Sequence, residues 1–281
     1  MMSTVTPVAA RMRRFATRAA LSTTFVALAT GAILTGSFAT STPSASAAED
    51  ACPAVEVVFA RGTNEAPGVG VTGQSFVDAL TARLPGKSID VYGVNYPASL
   101  NFGQVADGIM DASNRIQAIA TNCPATDIVL GGYSQGAAVA GYTTTDTVPA
   151  GFNLPDGIAG PMPASVAPHV SAVVLFGTPD PWFMNLVANS APPITIGAPY
   201  TAKTVQLCAT GDPVCFPGGL DRSAHSSYKD NGMAVQAADF VAGKLGVPAP
   251  TAAVQQTAGE VGASDQPAGA PAAEPVPPLG N

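Results

Sequence analysis

The sequence predicts an α/β domain in which a mainly parallel β-sheet carries helices on both faces. Short apolar runs typical of buried strands alternate along the chain with longer segments whose apolar residues recur at helical spacing. One apolar run also leads through a glycine-flanked serine directly into a row of small, helix-compatible residues. Because such sheets bind ligands at the carboxyl ends of their strands, functional residues are expected at that edge.

Five strands and four helices make up the predicted domain. We expect strands at residues 55–59, 89–94, 128–130, 170–176 and 203–207. We expect helices at residues 71–84, 104–120 and 233–245, and a shorter one near residue 137. The helix at 104–120 has the clearest pattern, because its apolar side chains share one face: Val105, Ile109, Ala112, Ile116 and Ile119.

Two segments between these elements, residues 143–168 and 179–200, are predicted to be long surface loops. The second contains several large apolar side chains: Trp182, Phe183, Met184, Leu186 and Ile194. These side chains could bind acyl chains near a catalytic strand end, or they could simply pack against the core. The sequence leaves both interpretations open.

One folded domain is predicted, at residues 49–247 of the 281. Residues 1–48 contain four arginines and no acid, then a mostly apolar segment and an ending of small residues, which indicates a secretory signal peptide. A membrane anchor is the alternative, and Arg13-Arg14 leaves twin-arginine export open. Residues 248–281 are rich in Ala and Pro and lack aromatic side chains, which predicts a disordered tail.

The charge distribution limits the classes of partner. All nineteen acidic residues but only eight of the twelve bases follow residue 48, so the chain after the leader has a net charge of −11. This charge argues against nucleic acid and anionic lipid headgroups as partners. We expect an exported monomer, extracellular or associated with the cell wall, that does not insert stably into a membrane.

Four cysteines follow residue 48, which in an exported chain indicates two disulfides with three possible pairings. We pair the neighbours Cys208 and Cys215, and Cys52 with Cys123. A zinc site is not expected, because the sequence has no C-x-x-C and only two histidines. No metal or cofactor is predicted.

The turn after the third strand reads Gly132-Tyr-Ser-Gln-Gly136, a G-x-S-x-G pattern. Between a strand and a helix, this pattern holds its serine on a strained turn, with the oxygen exposed at a helix N-terminus. In a chain so rich in Gly, Ser and Ala, an ordinary strand-to-helix turn is the alternative. The flanking strand and helix favour Ser134 as a nucleophile.

A serine nucleophile needs a base, and the base needs an orienting group. We predict His225 as the base because it follows the last strand, whereas His169 precedes the fourth. We predict Asp212 as the acid, since it lies just past the fifth strand and inside the smaller proposed disulfide loop. Asp180 and Asp221 are its competitors.

Attack by a serine on a carbonyl carbon creates an oxyanion, which must meet hydrogen-bond donors that are already in place. One donor is expected from the backbone N–H of Gln135, the residue after the nucleophile. The other is expected from Thr63, in the loop that follows the first strand.

Taken together, these residues resemble the cutinase family of secreted serine esterases, especially its actinobacterial branch, from about residue 52 to residue 245. The matching motifs are Ala60-Arg-Gly-Thr63, Gly132-Tyr-Ser-Gln-Gly136, Cys208-x-x-Gly-Asp-x-x-Cys215 and the segment around His225. The resemblance implies a small α/β-hydrolase with a five-stranded sheet and no large lid. It also implies the triad, oxyanion donors and disulfides proposed above, although fungal members typically have serine at the position of Thr63.

The resemblance implies hydrolysis of carboxylic esters, with lipid, polyester or acylated carbohydrate substrates and short to medium or longer acyl chains. A carbohydrate deacetylase of the acetylxylan-esterase kind and acyl transfer to an alcohol other than water are alternatives on the same residues. A non-catalytic envelope-binding protein on this fold is a further alternative. That alternative predicts a missing triad member, and all three members are present in the sequence.

Overall fold

The computed structural model describes residues 52–148, 154 and 156–248. The predicted signal peptide at residues 1–48 lies outside the described residues, as does the predicted tail beyond residue 248. Both therefore stay expectations.

The described residues form a five-stranded sheet in which every pair of neighbouring strands is parallel. The strands are β1 (Val55–Ala60), β2 (Ile89–Gly93), β3 (Asp127–Tyr133), β4 (Val170–Phe176) and β5 (Thr204–Leu207). Their spatial order is β2-β1-β3-β4-β5, so the winding direction changes between β1 and β3. Ligands of parallel sheets bind outside the carboxyl ends at such a switch point, and here the residues that follow Ala60 and Tyr133 meet there.

Helices cover both faces of the sheet. The helices are α1 (Gly70–Arg83), α2 (Val105–Asn122), α3 (Gln135–Thr143), α4 (Pro181–Val187), α5 (Ala198–Thr201), α6 (Arg222–Ser226) and α7 (Met233–Lys244). Side chains alternate along the strands, so Val57 and Phe59 pack with α1 and α7, while Val58 and Ala60 pack with α2 and α3. These two cores confirm the predicted α/β architecture.

An aromatic cluster fills the core beneath α1. The rings of Phe59, Phe76 and Phe176 lie 6.1–6.3 Å apart between centroids, and all three side chains are fully buried. Because Phe59 and Phe176 are near the carboxyl ends of β1 and β4, the cluster packs beneath that edge of the sheet.

The prediction that residues 179–200 form one long loop was wrong, because α4 and most of α5 lie within this range. Helix α4 begins where the Asp180 carboxylate accepts a hydrogen bond from the N–H of Phe183 at 2.7 Å, with Pro181 at the first helical position. The loop predicted at 143–168 also ends in a short 3-10 helix, Ala164–His169. Among the helices that the structure describes, we find none with the length and hydropathy required to cross a bilayer.

Candidate active site

Ser134 occupies a strained turn between β3 and α3. Its backbone has φ 55° and ψ −119°, a conformation rare for a residue with a side chain. Two close approaches impose the turn: a Cβ on Gly132 would lie 2.0 Å from the carbonyl oxygen of Gly136, and one on Gly136 would lie 2.0 Å from that of Ala60. The Ser134 N–H donates to the carbonyl oxygen of Phe176 at 2.8 Å, which fixes the turn at the sheet edge.

The structure brings Ser134, His225 and Asp212 together in one chain of hydrogen bonds. The distance from Nε2 of His225 to Oγ of Ser134 is 2.8 Å. On the other side of the ring, Nδ1 lies 2.8 Å and 2.9 Å from the two carboxylate oxygens of Asp212. A base 2.8 Å from a hydroxyl can accept its proton, and a carboxylate behind the base can hold the protonated ring in place.

The Asp212 carboxylate is completely buried yet stays ionised. Burial alone would raise its pKa, but hydrogen bonds from His225, from the Tyr228 hydroxyl and from the Val214 N–H outweigh burial and hold the pKa below its ordinary range. The Tyr228 hydroxyl lies 2.5 Å and the Val214 nitrogen 2.8 Å from the carboxylate. A fixed negative charge therefore faces Nδ1 of the imidazole, on the side of the ring away from Ser134.

Local structure on both sides of the contact fixes the relative position of His225 and Asp212. The carboxylate lies inside the loop closed by the disulfide Cys208–Cys215, whose Cα atoms are 5.8 Å apart. The histidine lies on α6, which begins where Asp221 accepts a hydrogen bond from the N–H of Ser223 at 2.8 Å. The disulfide loop that carries Asp212 and the capped helix that carries His225 thus meet at the triad.

The alternative base and acids have other places in the fold. His169 immediately precedes β4, at the amino end of the strand and so at the sheet edge opposite Ser134, where its Nδ1 lies 3.2 Å from the carbonyl oxygen of Pro124. Asp180 caps α4, and Asp221 caps α6. The side chains of these three residues hydrogen-bond to other groups and not to the Ser134 hydroxyl or the predicted base.

All four cysteines lie in the described part of the chain and are paired. Cys52 is bonded to Cys123 and Cys208 to Cys215. The first disulfide ties the chain before β1 to the end of α2, and the second closes the loop that carries the buried carboxylate. Across the described ranges, no group of three His, Cys, Asp or Glu side chains is arranged to hold a metal ion.

Two tyrosines next to the triad were not given a role by the sequence analysis. Tyr228 is fully buried; its hydroxyl donates to Asp212 and accepts from the N–H of Ala209 at 3.0 Å. The Tyr133 hydroxyl donates to the carbonyl oxygen of His225 at 2.6 Å, and the two rings lie 5.1 Å apart. Tyr133 lies within the G-x-S-x-G motif and Tyr228 three residues after His225, but the sequence does not show that their hydroxyls reach the triad residues.

Tyr228→Phe is expected to lower the free energy of unfolding by about 1–3 kcal/mol at neutral pH, because it removes a hydrogen bond to a buried carboxylate. That bond favours ionised Asp212, so its loss raises the pKa of the acid. The ionised group stabilises the fold above the pKa of an unfolded aspartate, about 3.9, and this contribution disappears as the pH falls through the lower folded pKa. The difference from wild type should therefore narrow in acid.

Urea unfolding at about pH 7 and about pH 3 measures this difference. Tyr142→Phe is the matched control, since its hydroxyl donates to the carbonyl oxygen of Pro192, away from the triad acid. The control should show the same loss at both pH values. If the loss in Tyr228→Phe also proved independent of pH, the proposed coupling to Asp212 would be wrong.

The two predicted oxyanion donors are backbone N–H groups of residues that follow β1 and β3. Gln135 is the first residue of α3, and the first N–H groups of a helix have no partner within it. Thr63 lies in the loop after β1, half-buried, three residues beyond Ala60, which pairs in register with Gly132. Within the part of the chain that the structure describes, neither N–H has a protein acceptor.

A groove of about 860 Å³ runs along α2 and the carboxyl-terminal end of α3. The side chain of Gln135 donates to the carbonyl oxygen of Ser99 at 2.8 Å, and the next residue, Leu100, forms one lip of the groove. Most of the large side chains along the groove are apolar; they include Leu100, Phe102, Ile109, Tyr142, Met162 and Leu186. The triad side chains themselves do not line it.

Comparison with known proteins agrees with this geometry. A model of the family described as "Cutinase" matches residues 51–245. Probable carboxylesterase Culp5 of Mycobacterium tuberculosis is 50% identical over 173 residues, which are 62% of this chain and 97% of that protein. Phospholipase Culp4 of the same organism is 45% identical over 194 residues, covering 69% of this chain and 80% of that protein.

A solved structure is similar as well. Trichoderma reesei cutinase in complex with a C11Y4 phosphonate inhibitor is 32% identical, with a TM-score of 0.51, over 69% of this chain and 78% of that one. The family model covers more than half of the chain, and its range includes every residue of the predicted triad and both predicted oxyanion donors. The chain belongs to the cutinase family.

Proposed function

We propose that the protein hydrolyses carboxylic esters through an acyl-enzyme intermediate on Ser134. His225 accepts the hydroxyl proton through Nε2 while Oγ attacks the ester carbonyl carbon. The resulting oxyanion is bound by the N–H groups of Gln135 and Thr63. The imidazolium, held by Asp212, then donates the proton to the departing alcohol.

Water then hydrolyses the acyl-enzyme with the same residues. The same imidazole takes a proton from water, the hydroxide attacks the acyl carbon, and the second tetrahedral intermediate collapses to release the acid and restore Ser134. The observation that supports the proposal most strongly is the continuous hydrogen-bond chain from the buried carboxylate through the ring to Oγ, with 2.8 Å at each contact.

The groove supports esters of medium to longer acyl chains as the substrate class. Its volume of about 860 Å³ and its apolar side chains suit an extended hydrocarbon rather than an acetyl group. One relative bears the name phospholipase, and the similar Trichoderma structure holds a phosphonate inhibitor. We infer that the acyl part of the substrate enters between Leu100 and Leu186.

Nitrophenyl esters of increasing chain length test this inference. We expect kcat/KM to rise with length until the groove is filled, since each buried methylene contributes up to ~0.8 kcal/mol. Ile109→Gln should remove the preference for long chains while leaving the acetyl ester unaffected, because Ile109 lines the groove. Val91→Gln, exposed on β2 and outside the groove, is the matched control.

A maximum at the acetyl ester would contradict the acyl-groove inference and favour the carbohydrate deacetylase instead. Acyl transfer is tested by adding an alcohol acceptor and measuring how the products divide between free acid and new ester. Equal release of acid with and without the acceptor would exclude transfer to that alcohol.

Export to an extracellular or cell-wall location, as a monomer, is part of the same proposal. Two disulfides in the described residues are typical of proteins from oxidising compartments. The leader at residues 1–48 has the composition of a secretory signal. Fractionation of cells that express the full chain would test the location. Mass spectrometry of the mature N-terminus would test whether the leader is removed.

A further inference from the structure

Several hydrogen bonds hold the loop after β1, residues 61–65, in place. Arg61 is buried, and its guanidinium donates to the carbonyl oxygens of Glu65 at 2.8 Å and Tyr96 at 2.7 Å. In return, the Tyr96 hydroxyl donates to the carbonyl oxygen of Arg61 at 2.5 Å. These contacts connect the loop to the segment after β2.

The backbone of the loop turns back on itself around Thr63. The N–H of Glu65 donates to the carbonyl oxygen of Gly62 at 3.2 Å, and the N–H of Asn64 donates to that of Ala98 at 2.7 Å. Asn64 has φ 62°, which completes the turn. The N–H of Thr63 takes part in none of these bonds and has no protein acceptor in the described chain.

The Glu65 carboxylate fastens this turn to a long helix. One oxygen accepts from the N–H of Gly62 at 2.6 Å, and the other accepts from the N–H of Val71 at 2.8 Å. Val71 is in the first turn of α1, a helix of 14 residues, where the helix dipole favours a negative charge. Gly62 directly precedes Thr63, so one carboxylate fixes the residue next to the proposed oxyanion donor.

We propose that Glu65 is a positioning residue that holds the Thr63 N–H in the orientation required to bind the oxyanion. The inference rests on the proposed ester hydrolysis at Ser134. By clamping the Gly62 N–H, the carboxylate fixes the peptide planes on the amino side of Thr63, and helix α1 supplies the rigid support. Glu65 should therefore affect the stability of the transition state, because the Thr63 N–H binds strongly only after the carbonyl oxygen has become negative.

A purely electrostatic role for Glu65 makes the opposite prediction. A negative charge near an oxyanion disfavours it, so neutralising the acid would speed the reaction if charge were its main effect. If the carboxylate acts by positioning, the neutral glutamine slows the reaction, since an amide group can accept from only one of the two N–H groups through its oxygen. The sign of the change in kcat therefore separates the two roles.

The test compares Glu65→Gln and Glu65→Ala with wild type and with the control Asp78→Asn. Asp78 is an exposed acid on α1 whose side chain hydrogen-bonds to Gln74 and not to the loop. Three quantities are measured: kcat and KM for a short nitrophenyl ester, and Ki for a trifluoromethyl ketone of the same acyl chain, which presents an oxyanion when bound. Active-site titration with a phosphonate corrects each rate for the fraction of competent enzyme.

We expect kcat to fall about 10-fold in Glu65→Gln and towards ~10²-fold in Glu65→Ala, below or at the lower end of the 10²–10³-fold cost of losing a donor entirely. KM should stay within about twofold, and Ki should rise by the factor by which kcat/KM falls. Asp78→Asn should match wild type in all three quantities.

Unchanged kcat and Ki in both variants would overturn the proposal, as would a faster Glu65→Gln. A fall in rate that vanishes after active-site titration would show that Glu65 only stabilises the fold, which also overturns it. If Glu65→Ala does not fold, Glu65→Gln decides. Absence of ester hydrolysis by the wild-type protein, or its persistence in Ser134→Ala, would instead refute the proposed function.

Discussion

Ser134→Ala is expected to lower ester turnover at least ~10³-fold while leaving the protein folded. The hydroxyl is the attacking group in the proposed mechanism, and an alanine offers no atom that can bond to the acyl carbon. Although Ser134 precedes α3, its side chain does not cap the helix, so stability should change little. Initial rates with a nitrophenyl ester, together with thermal unfolding, measure the two effects separately.

Ser171→Ala is the control for this substitution. Ser171 lies on β4, and its hydroxyl donates to the Asp127 carboxylate at 2.6 Å near the opposite edge of the sheet. The control should retain turnover close to wild type. Near-full activity in Ser134→Ala would show that the nucleophile has been assigned to the wrong residue.

Asp212→Asn is expected to reduce kcat by ~10⁴-fold, the loss measured when a triad aspartate becomes an amide in a serine protease. An asparagine carries no charge to stabilise the imidazolium and can present an N–H to Nδ1, which favours the wrong tautomer. Because the change is nearly isosteric, the Val214 N–H can still donate to the side-chain oxygen. The variant should therefore bind substrate almost as wild type does.

Asp180→Asn is the matched control, since Asp180 competed for the role of the acid. Its carboxylate caps α4, and asparagine caps helices about as well as aspartate. Turnover in this variant should stay within a fewfold of wild type. If its turnover collapsed as far as that of Asp212→Asn, the triad acid would have to be reassigned to Asp180.

The sheet and its long helices were predictable because their signals are local. Strands β1, β3 and β4 are mostly apolar, and α2 has one apolar face, so the predicted positions agree with the structure to within a few residues. Helices α4, α5 and α6 have only four to seven residues each. Such helices are too short to show an apolar period, and capping and tertiary packing decide whether they form.

The candidate site was predictable in its residue types but not in its supporting contacts. Ser134, Asp212 and His225 each follow a strand in a sequence pattern that names a chemical role, and the structure places them within hydrogen-bond distance. The contact of Tyr228 with the acid joins two separate segments, and that of Glu65 with Gly62 depends on the conformation of one loop, which no sequence pattern specifies. Only coordinates could reveal them.

The most direct test of the central claim is to locate the residue that reacts with an alkyl phosphonate nitrophenyl ester. Wild-type protein is labelled, digested and mapped by tandem mass spectrometry, with Ser134→Ala and Ser171→Ala treated in parallel. The account predicts one stoichiometric label on Ser134, present in the Ser171 variant and absent from the Ser134 variant. A label on any other residue, or no label in an ester-hydrolysing preparation, would contradict it.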